Sequence, residues 1–200
     1  MHIELILEEP SAEAFLKEFM PKITPPDASW NPIVFQGKSD LLANLQKRLK
    51  GYSSWIPDDW KIVVLIDEDR EDCRELKIRL ERAASEAGLM TKTRARNGSF
   101  AVLNRIAVEE LEAWFLGDPQ ALNAAYPRVK PSFASKVQYR NPDAVAGGTW
   151  EALERILQRA GYYQGGIAKI EVARNVARHM DAPRNSSESF RRFVNGVMSL

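Results

Sequence analysis

The sequence predicts an α/β protein with a sheet of about four mainly parallel strands, flanking helices and a helical extension at the C-terminal end. Apolar runs alternate with amphipathic segments over the first 118 residues, and from residue 119 prolines separate short helical pieces. KIVVLID is a nearly continuous apolar run, as in strands that are buried on both faces. We therefore expect an α/β core over residues 1–118 and a helical extension over residues 119–200 that packs on it.

The predicted elements follow one another at short intervals. Gly and Pro residues and candidate capping residues mark their ends. The four predicted strands cover residues 3–9, 31–36, 61–67 and 99–108. The first predicted helix opens at Pro10 and Ser11, and the second is capped by Ser39 and ends at Gly51. The third covers residues 71–87, and the fourth begins in EELEAWFLG. Such strand–helix alternation is typical of a parallel sheet.

Composition excludes several classes of protein. Hydrophobic residues make up 44% of the chain and charged residues 28%, which is ordinary for a globular protein. The single cysteine, Cys73, excludes an internal disulfide framework and a Cys-rich zinc site. No signal peptide is evident, and no apolar stretch approaches the roughly 20 residues that cross a bilayer. We expect a cytoplasmic protein without a membrane partner.

The net charge of +1 hides an asymmetry. Residues 1–90 hold 12 basic and 17 acidic side chains, whereas residues 91–200 hold 16 basic and 10 acidic ones. An acidic half joined to a basic half suits a protein that holds a cation beside a polyanion. Acids that cluster by chance on solvated faces would give the same count.

Acidic residues follow three of the predicted strands. Because ligands of an open parallel sheet bind beyond the carboxyl ends of its strands, we expect these acids to converge on one edge. They are Glu8 and Glu9 after the first strand, Asp67, Glu68 and Asp69 after the third, and Glu109, Glu110 and Glu112 after the fourth. Two further acids, Glu71 and Asp72, are expected to cap the following helix instead.

Asp67 and Asp69 flank one position, so both side chains can face one point. Oxygen ligands without Cys and with few His favour Mg²⁺ or Mn²⁺ over zinc. Unpaired carboxylates this close would repel and raise one another's pKa, and a divalent cation removes that conflict. The sequence therefore predicts a metal site, although a helix cap or the acid pocket of a receiver domain remains an alternative.

The order of Glu8 after one apolar strand and Asp67-Glu68-Asp69 after another resembles a TOPRIM domain, the metal-binding fold of topoisomerases, bacterial primases and overcoming-lysogenization-defect nucleases. Glu9 stands where that motif usually has Gly. Longer segments resemble a bacterial TOPRIM-like family of unknown function, whose members are often encoded beside ABC-type ATPases in phage-defence or mobile loci. These segments are FQGKSDLLANLQKRLKGY, VVLIDEDREDCRELKIRL, AVEELEAWFLGD and SFRRFVNGV.

The resemblance implies a TOPRIM-like (Rossmann-like) sheet, a catalytic Mg²⁺ or Mn²⁺ and hydrolysis of nucleic-acid phosphodiesters, with DNA preferred to RNA as the partner. Asp67 and Asp69 would hold the metal, and Glu8 would be a further metal ligand or the acid/base carboxylate. Glu112 would supplement the site, with Glu109 as the alternative for that role, and Lys169 would be an active-site lysine. Topoisomerase chemistry would require a nucleophilic Tyr from another domain, so a nuclease subunit is the better expectation. An ABC-type ATPase is the implied protein partner.

Basic residues supply candidate contacts to phosphate. Lys92, Arg94 and Arg96 precede the fourth strand, and Lys38 follows the second strand on the same edge as the acids. Lys38 could contact phosphate or pair with Asp67. Cys73 is not expected to be a nucleophile, because the neighbouring acids should raise the pKa of its thiol.

Two other functions stay open. The chain could be a non-catalytic regulatory or adaptor subunit that binds its ATPase through the basic half. It could also be a phosphotransfer receiver with Asp67 as the phosphoacceptor, but receivers favour Asp where this chain has Glu8.

Overall fold

A computed structural model of the chain describes residues 1–96 and 98–200 and contains one four-stranded, all-parallel sheet. The spatial order of its strands is β2-β1-β3-β4. The strands are β1 (His2–Leu7), β2 (Ser29–Val34), β3 (Trp60–Asp67) and β4 (Val102–Ala107). The predicted α/β class and parallel sheet are confirmed.

Eight α-helices surround this sheet within the described residues. Three of them connect successive strands, and five follow β4. They are α1 (Pro10–Phe19), α2 (Lys38–Ser53), α3 (Cys73–Glu86), α4 (Glu112–Leu116), α5 (Pro119–Ala125), α6 (Thr149–Arg159), α7 (Lys169–Ala177) and α8 (Glu188–Val197). None of the described helices is long and apolar enough to cross a membrane.

Both faces of the sheet are buried. Alternate residues point to opposite faces, so Leu5 and Val63 join one apolar cluster while Ile6 and Val64 join the other. Side chains of α2 and α3 complete the second cluster, and side chains of α1 and the C-terminal helices complete the first. This two-sided burial explains why β3 has an almost continuous apolar sequence.

The strand order creates a switch point between β1 and β3. From β1 the chain moves outward to β2, then returns past β1 to form β3 and finally β4. Loops that leave β1 and β3 therefore diverge, and they leave a crevice at the carboxyl ends of these two strands. This crevice is where the acids were expected.

Most element boundaries shift by one to three residues from the prediction, and both ends of α2 have a clear physical reason. Ser39 does not cap α2: Gly37, with a φ of +93° that favours glycine, precedes the helix, and the helix begins at Lys38. The helix also continues past Gly51, because Tyr52 is buried and donates a 2.7 Å hydrogen bond to the carboxylate of Glu4.

The C-terminal helices pack on the α/β layers. Helix α7 packs against α1, and α8 packs against β4. Trp114 is fully buried, with the ring of Phe190 at 5.4 Å and that of Phe193 at 5.0 Å between centroids. One apolar cluster therefore contains residues from both the sheet and the C-terminal helices.

Candidate metal and active site

The carboxyl ends of β1 and β3 lie side by side at the switch point. Glu8 directly follows β1, and Asp67 is the last residue of β3. The backbone N–H of Asp67 donates a 3.0 Å hydrogen bond to Oε2 of Glu8, so the Glu8 carboxylate lies at the end of β3. Two acids 59 residues apart in sequence are thereby neighbours.

Asp67 is surrounded by negative charge. Burial raises the pKa of its carboxyl group well above the usual value, and four other acids raise it further through their charges: Glu112, Glu8, Glu9 and Asp69. The pKa of Glu8 is also raised, chiefly by burial, despite the hydrogen bond from Asp67 and the nearby positive charge of Lys38. The acids destabilise one another's ionised forms.

Glu112 contributes a buried carboxyl group from the first turn of α4. The residue is 2% exposed, and its Oε2 has no hydrogen-bond partner among the described residues. Burial raises its pKa to about 7, although the positive charge of Lys169 opposes this shift. The Lys169 ammonium lies 4.0 Å from Oε1 of Glu112 and 4.4 Å from the centre of the Trp150 ring.

Lys169 therefore faces the acids, as the resemblance implied. Burial by itself would lower the pKa of its ammonium group, but the acids, with Glu112 first, raise the pKa overall. The ring of Trp150 supports the ammonium from one side by a cation–π contact. Lys169 begins α7, so the C-terminal helices supply one cation of the site.

The loops after β3 and β4 hold each other in place. Asp69 and Glu109 both have left-handed backbone conformations, with φ of +52° and +61°. The Asp69 N–H donates a 2.7 Å hydrogen bond to the carbonyl of Glu109, and the Glu109 N–H donates a 2.9 Å bond to the carboxylate of Glu68. Glu68 thus supports the loop geometry.

Lys38 supplies a second cation on the opposite side of the site. Its ammonium lies 2.7 Å from Oδ2 of Asp69 and donates a 2.8 Å hydrogen bond to the carbonyl of Glu68. The prediction placed Lys38 on the acidic edge with Asp67 as a candidate partner, but its ion pair is with Asp69. Lys38 follows Gly37, whose N–H donates to the carbonyl of Glu8, so β1 and α2 are joined beside the site.

Several nearby acids have structural roles. Asp72 accepts hydrogen bonds from the N–H groups of Arg74 and Glu75, which confirms it as the cap of α3. Glu110 accepts hydrogen bonds from the Thr149 hydroxyl and the Trp150 N–H at the start of α6.

Glu71 was expected to cap α3, but its carboxylate instead pairs with the guanidinium of Arg79 at 2.7 Å.

The thiol of Cys73 has a raised pKa, chiefly because of burial and then because of the charge of Glu68. A raised thiol pKa is expected for a cysteine that is not a nucleophile.

The donor chemistry of the site fits a hard divalent cation. Glu8, Asp67, Asp69 and Glu112 offer carboxylate oxygens, and the unpartnered Oε2 of Glu112 has no other role. As positioned, however, no three His, Cys, Asp or Glu side chains among residues 1–96 and 98–200 form a ready ligand group. A cation would therefore require these side chains to turn toward one another.

A cleft of about 660 Å³ opens beside the carboxylates. Its lining includes Lys38, Asp69, Glu109 and Gly148. This volume is within the usual range for small-molecule sites of roughly 300–1,000 Å³.

The other predicted basic contacts lie at the opposite end of the sheet. Thr91 pairs with Val102 at the start of β4, and Lys92 follows directly, whereas the carboxylates lie at the ends of the strands. Arg94 bonds to the hydroxyl of Ser85, and Arg96 is exposed. A nucleic-acid role for these three cations stays a prediction, at a place distant from Asp67.

Sequence analysis missed the part played by Trp150. Nothing in its immediate sequence indicates that its ring would lie against Lys169, which is 19 residues further along the chain. Helices α6 and α7 both pack against α4, and this arrangement brings the two side chains together.

Comparison with known proteins places the chain in a family. Residues 7–198 match a family described as Domain of unknown function (DUF4276). The chain belongs to the DUF4276 family. No curated protein and no solved structure gives a significant match. For this DUF4276 protein, function must be inferred from the site itself.

Proposed function

We propose that this DUF4276 protein is a Mg²⁺- or Mn²⁺-dependent nuclease subunit that hydrolyses phosphodiester bonds, in DNA rather than RNA. The observation that carries the proposal is the placement of Glu8 and Asp67 at the switch point, joined by a 3.0 Å hydrogen bond, with the buried Glu112 near enough for its charge to raise the pKa of Asp67. Two lysines near these acids do not abolish the shifts. A bound divalent cation would compensate the remaining negative charge.

Each residue of the site has a proposed task. Asp67, Glu8 and Asp69 would hold the metal, with Glu112 completing the set from α4. A bound Mg²⁺ or Mn²⁺ would polarise a phosphoryl oxygen and lower the pKa of an attacking water. Glu8 can use Oε1 for this purpose, because its Oε2 already accepts the Asp67 N–H.

The two lysines would act on substrate charge. Lys38 pairs with Asp69 but is also held by the Glu68 carbonyl, so it would stay in the site when Asp69 turns toward a metal. Its ammonium could then contact a phosphate oxygen. Lys169, steadied by Trp150, would offset the charge of Glu112 and face the substrate from α7.

The resemblance to TOPRIM domains supports the same chemistry. Glu8 and the Asp67-Glu68-Asp69 segment stand in the expected order, and both follow parallel strands of an α/β sheet. The longer resemblance supports a separate ABC-type ATPase as a partner in phage defence. The ATPase would control the activity of this subunit.

A cleavage assay with matched variants tests the proposal. The purified chain, alone and with an ABC-type ATPase encoded beside its gene, is incubated with labelled DNA or RNA and Mg²⁺, Mn²⁺ or a chelator. We expect metal-dependent cleavage that Asp67→Asn lowers by at least about 100-fold, since a ligand and its charge are lost.

Asp58→Asn is the control for that assay. Asp58 is exposed just before the start of β3, so this variant makes the same chemical change at the far end of the same strand. Its activity should equal that of the wild type. Cleavage that persists in Asp67→Asn would show that a contaminating nuclease, and not this site, is responsible.

The ion pair of Lys38 with Asp69 favours one alternative, a non-catalytic adaptor that retains the fold. In an adaptor, Lys38 would permanently occupy the place of the metal. Calorimetric titration with Mn²⁺ separates the two functions. The nuclease proposal expects saturable uptake that Asp67→Asn abolishes, whereas an adaptor would take up no metal through Asp67.

A further inference from the structure

A second cavity, of about 740 Å³, lies along the outer edge of β4. Helices α3 and α8 form its sides: α3 contributes Lys77, and α8 contributes Arg192 and Gly196. Its floor includes Asn104 and Arg105 of β4. The cavity does not include any of the proposed metal ligands.

The lining of this cavity is rich in positive charge. Its cations are Lys77, Lys92, Arg105 and Arg192, and its carboxylates are Asp143 and Glu188. Both carboxylates already accept strong hydrogen bonds: Asp143 from the hydroxyls of Ser187 and Ser189, and Glu188 from Arg191 and Arg192. Glu188 is therefore engaged by arginines, whereas Asp143, held by neutral hydroxyl groups, keeps its negative charge in the cavity.

Arg105 is a buried cation of this lining. Within the described residues, no carboxylate oxygen forms an ion pair with its guanidinium, which instead donates 2.9 Å hydrogen bonds to the carbonyls of Asn104 and Arg192. Burial lowers its pKa and the charge of Arg192 lowers it further, while the charge of Glu81 opposes both effects. An anion bound next to this guanidinium would stabilise its buried positive charge and offset the repulsion from Arg192.

Lys92 is a second cation that pairs with no carboxylate in the part of the chain that the structure describes. Its ammonium contacts the hydroxyl of Ser199 and lies 5.5 Å from the centre of the Phe100 ring. Lys77, in contrast, pairs with Glu81 at 3.0 Å and donates to the Asn104 carbonyl. Lys92 and Arg105 are thus the two lining cations that form no ion pair with a carboxylate of the described residues.

Gly196 makes room for the Arg105 guanidinium. A Cβ atom at position 196 would lie 2.5 Å from Nη2 and 2.7 Å from Nε of Arg105, closer than any real contact. Gly196 is inside α8, where glycine is less favourable than alanine. The chain therefore has an unfavourable helix residue where the guanidinium packs against the backbone.

The cavity also has features for the uncharged part of a ligand. Ile106 and Val108 provide apolar surface. Asn104 is 1% exposed, and its side-chain Oδ1 accepts no hydrogen bond from the described residues. It could accept one from a ligand hydroxyl or amino group.

We propose that this cavity binds the phosphate group of a nucleotide, either free or at the end of a nucleic-acid strand. A doubly charged phosphate matches two cations that form no ion pair better than a single carboxylate does, and an arginine fork suits phosphate oxygens. The apolar wall and Asn104 suit the nucleoside, and the volume is typical of small-ligand sites. The proposal does not depend on metal binding or catalysis at Asp67.

Calorimetric titration in the presence of a chelator tests this site separately from the carboxylates. Adenosine 5′-monophosphate is compared with adenosine, and a 5′-phosphorylated oligonucleotide with its unphosphorylated form. We expect saturable binding of at least one phosphorylated probe, weaker at high salt, and no comparable binding of its unphosphorylated counterpart. The probe that binds identifies whether the nucleotide is free or part of a strand.

Variants of the cavity should weaken that binding by at least about tenfold. Arg105→Gln removes the buried charge, Gly196→Ala displaces it, and Lys92→Gln removes the second cation while leaving the bonds from Arg105 to β4 and α8 intact. Arg82→Gln is the matched control, because Arg82 is exposed on α3 and does not line the cavity. Asp67→Asn should also bind normally.

Two results would overturn the proposal. One is the absence of saturable binding of any phosphorylated probe to the wild-type chain at millimolar concentration. The other is binding that neither Arg105→Gln nor Lys92→Gln weakens. Thermal unfolding of each variant identifies any loss of fold, and Lys92→Gln keeps the test valid if Arg105→Gln fails to fold.

Discussion

Glu112 shows how one buried carboxyl group can link stability to function. The free energy of unfolding depends on pH wherever a group has different pKa values in the folded and unfolded states. Burial raises the folded-state pKa of Glu112 from 4.5 to about 7, so the folded chain binds this proton more tightly. The stability that the group contributes is fully present below pH 4.5 and is lost as pH rises toward about 7.

Glu112 should therefore make the wild-type chain less stable as pH rises. In chelator, Glu112→Gln should be more stable than the wild type above pH 7, by up to about 3 kcal/mol, because an amide cannot ionise. The difference should be small near pH 4. Urea unfolding across this pH range measures it.

Glu86→Gln, on the exposed end of α3, is the control for that series and should show no such trend. Added Mg²⁺ should stabilise the wild type more than Glu112→Gln if Glu112 is a ligand. A variant that is less stable at every pH would show that the ionised carboxylate is already well compensated.

Asp118 illustrates how an element is fixed in place by its cap. It is fully buried, and Oδ1 accepts a 3.1 Å hydrogen bond from the N–H of Ala121 in the first turn of α5. Arg184 donates to both carboxylate oxygens, at 2.7 and 2.9 Å, and the Asp181 N–H donates to Oδ2. One carboxylate thus connects α5 to the segment between α7 and α8.

Asp118→Ala should therefore destabilise the chain by about 2–4 kcal/mol, since it removes a helix cap and several charge-assisted bonds. Chemical denaturation measures this loss. Asp181→Ala is the matched control: its side chain is 55% exposed and lies 3.8 Å from Arg184, so the cost should stay below about 1 kcal/mol. Equal effects of the two substitutions would contradict this account.

At the scale of the whole molecule, the sheet and the C-terminal helices share one apolar cluster. Phe190 of α8 is fully buried, with its ring 5.2 Å from Phe19 of α1 and 5.4 Å from Trp114 of α4. Elements from both ends of the chain therefore meet in the same packing. Such a shared core favours unfolding in a single transition.

Phe190→Ala should lower the free energy of unfolding by about 3–5 kcal/mol, because it leaves a cavity in this core. Circular dichroism and tryptophan fluorescence should still report one common transition. Met198→Ala, at a residue that is 67% exposed, should change stability little. Separate transitions for the two signals would indicate that residues 1–118 and 119–200 unfold independently.

The sequence by itself determined the fold class, because two-sided burial leaves a direct trace in apolar strands such as KIVVLID and in the alternation of strands with helices. It also identified Glu8, Asp67 and Asp69 as candidates, since residues at the ends of parallel strands share one edge. Only the tertiary structure decided which side chains meet. Lys38 pairs with Asp69, Lys169 lies over the ring of Trp150, and the Arg105 guanidinium fills the space that a side chain at Gly196 would occupy. These contacts depend on how separate elements pack. The local periodicity of apolar residues predicts helices and strands, but it contains no information about the distance between side chains that are far apart in the chain.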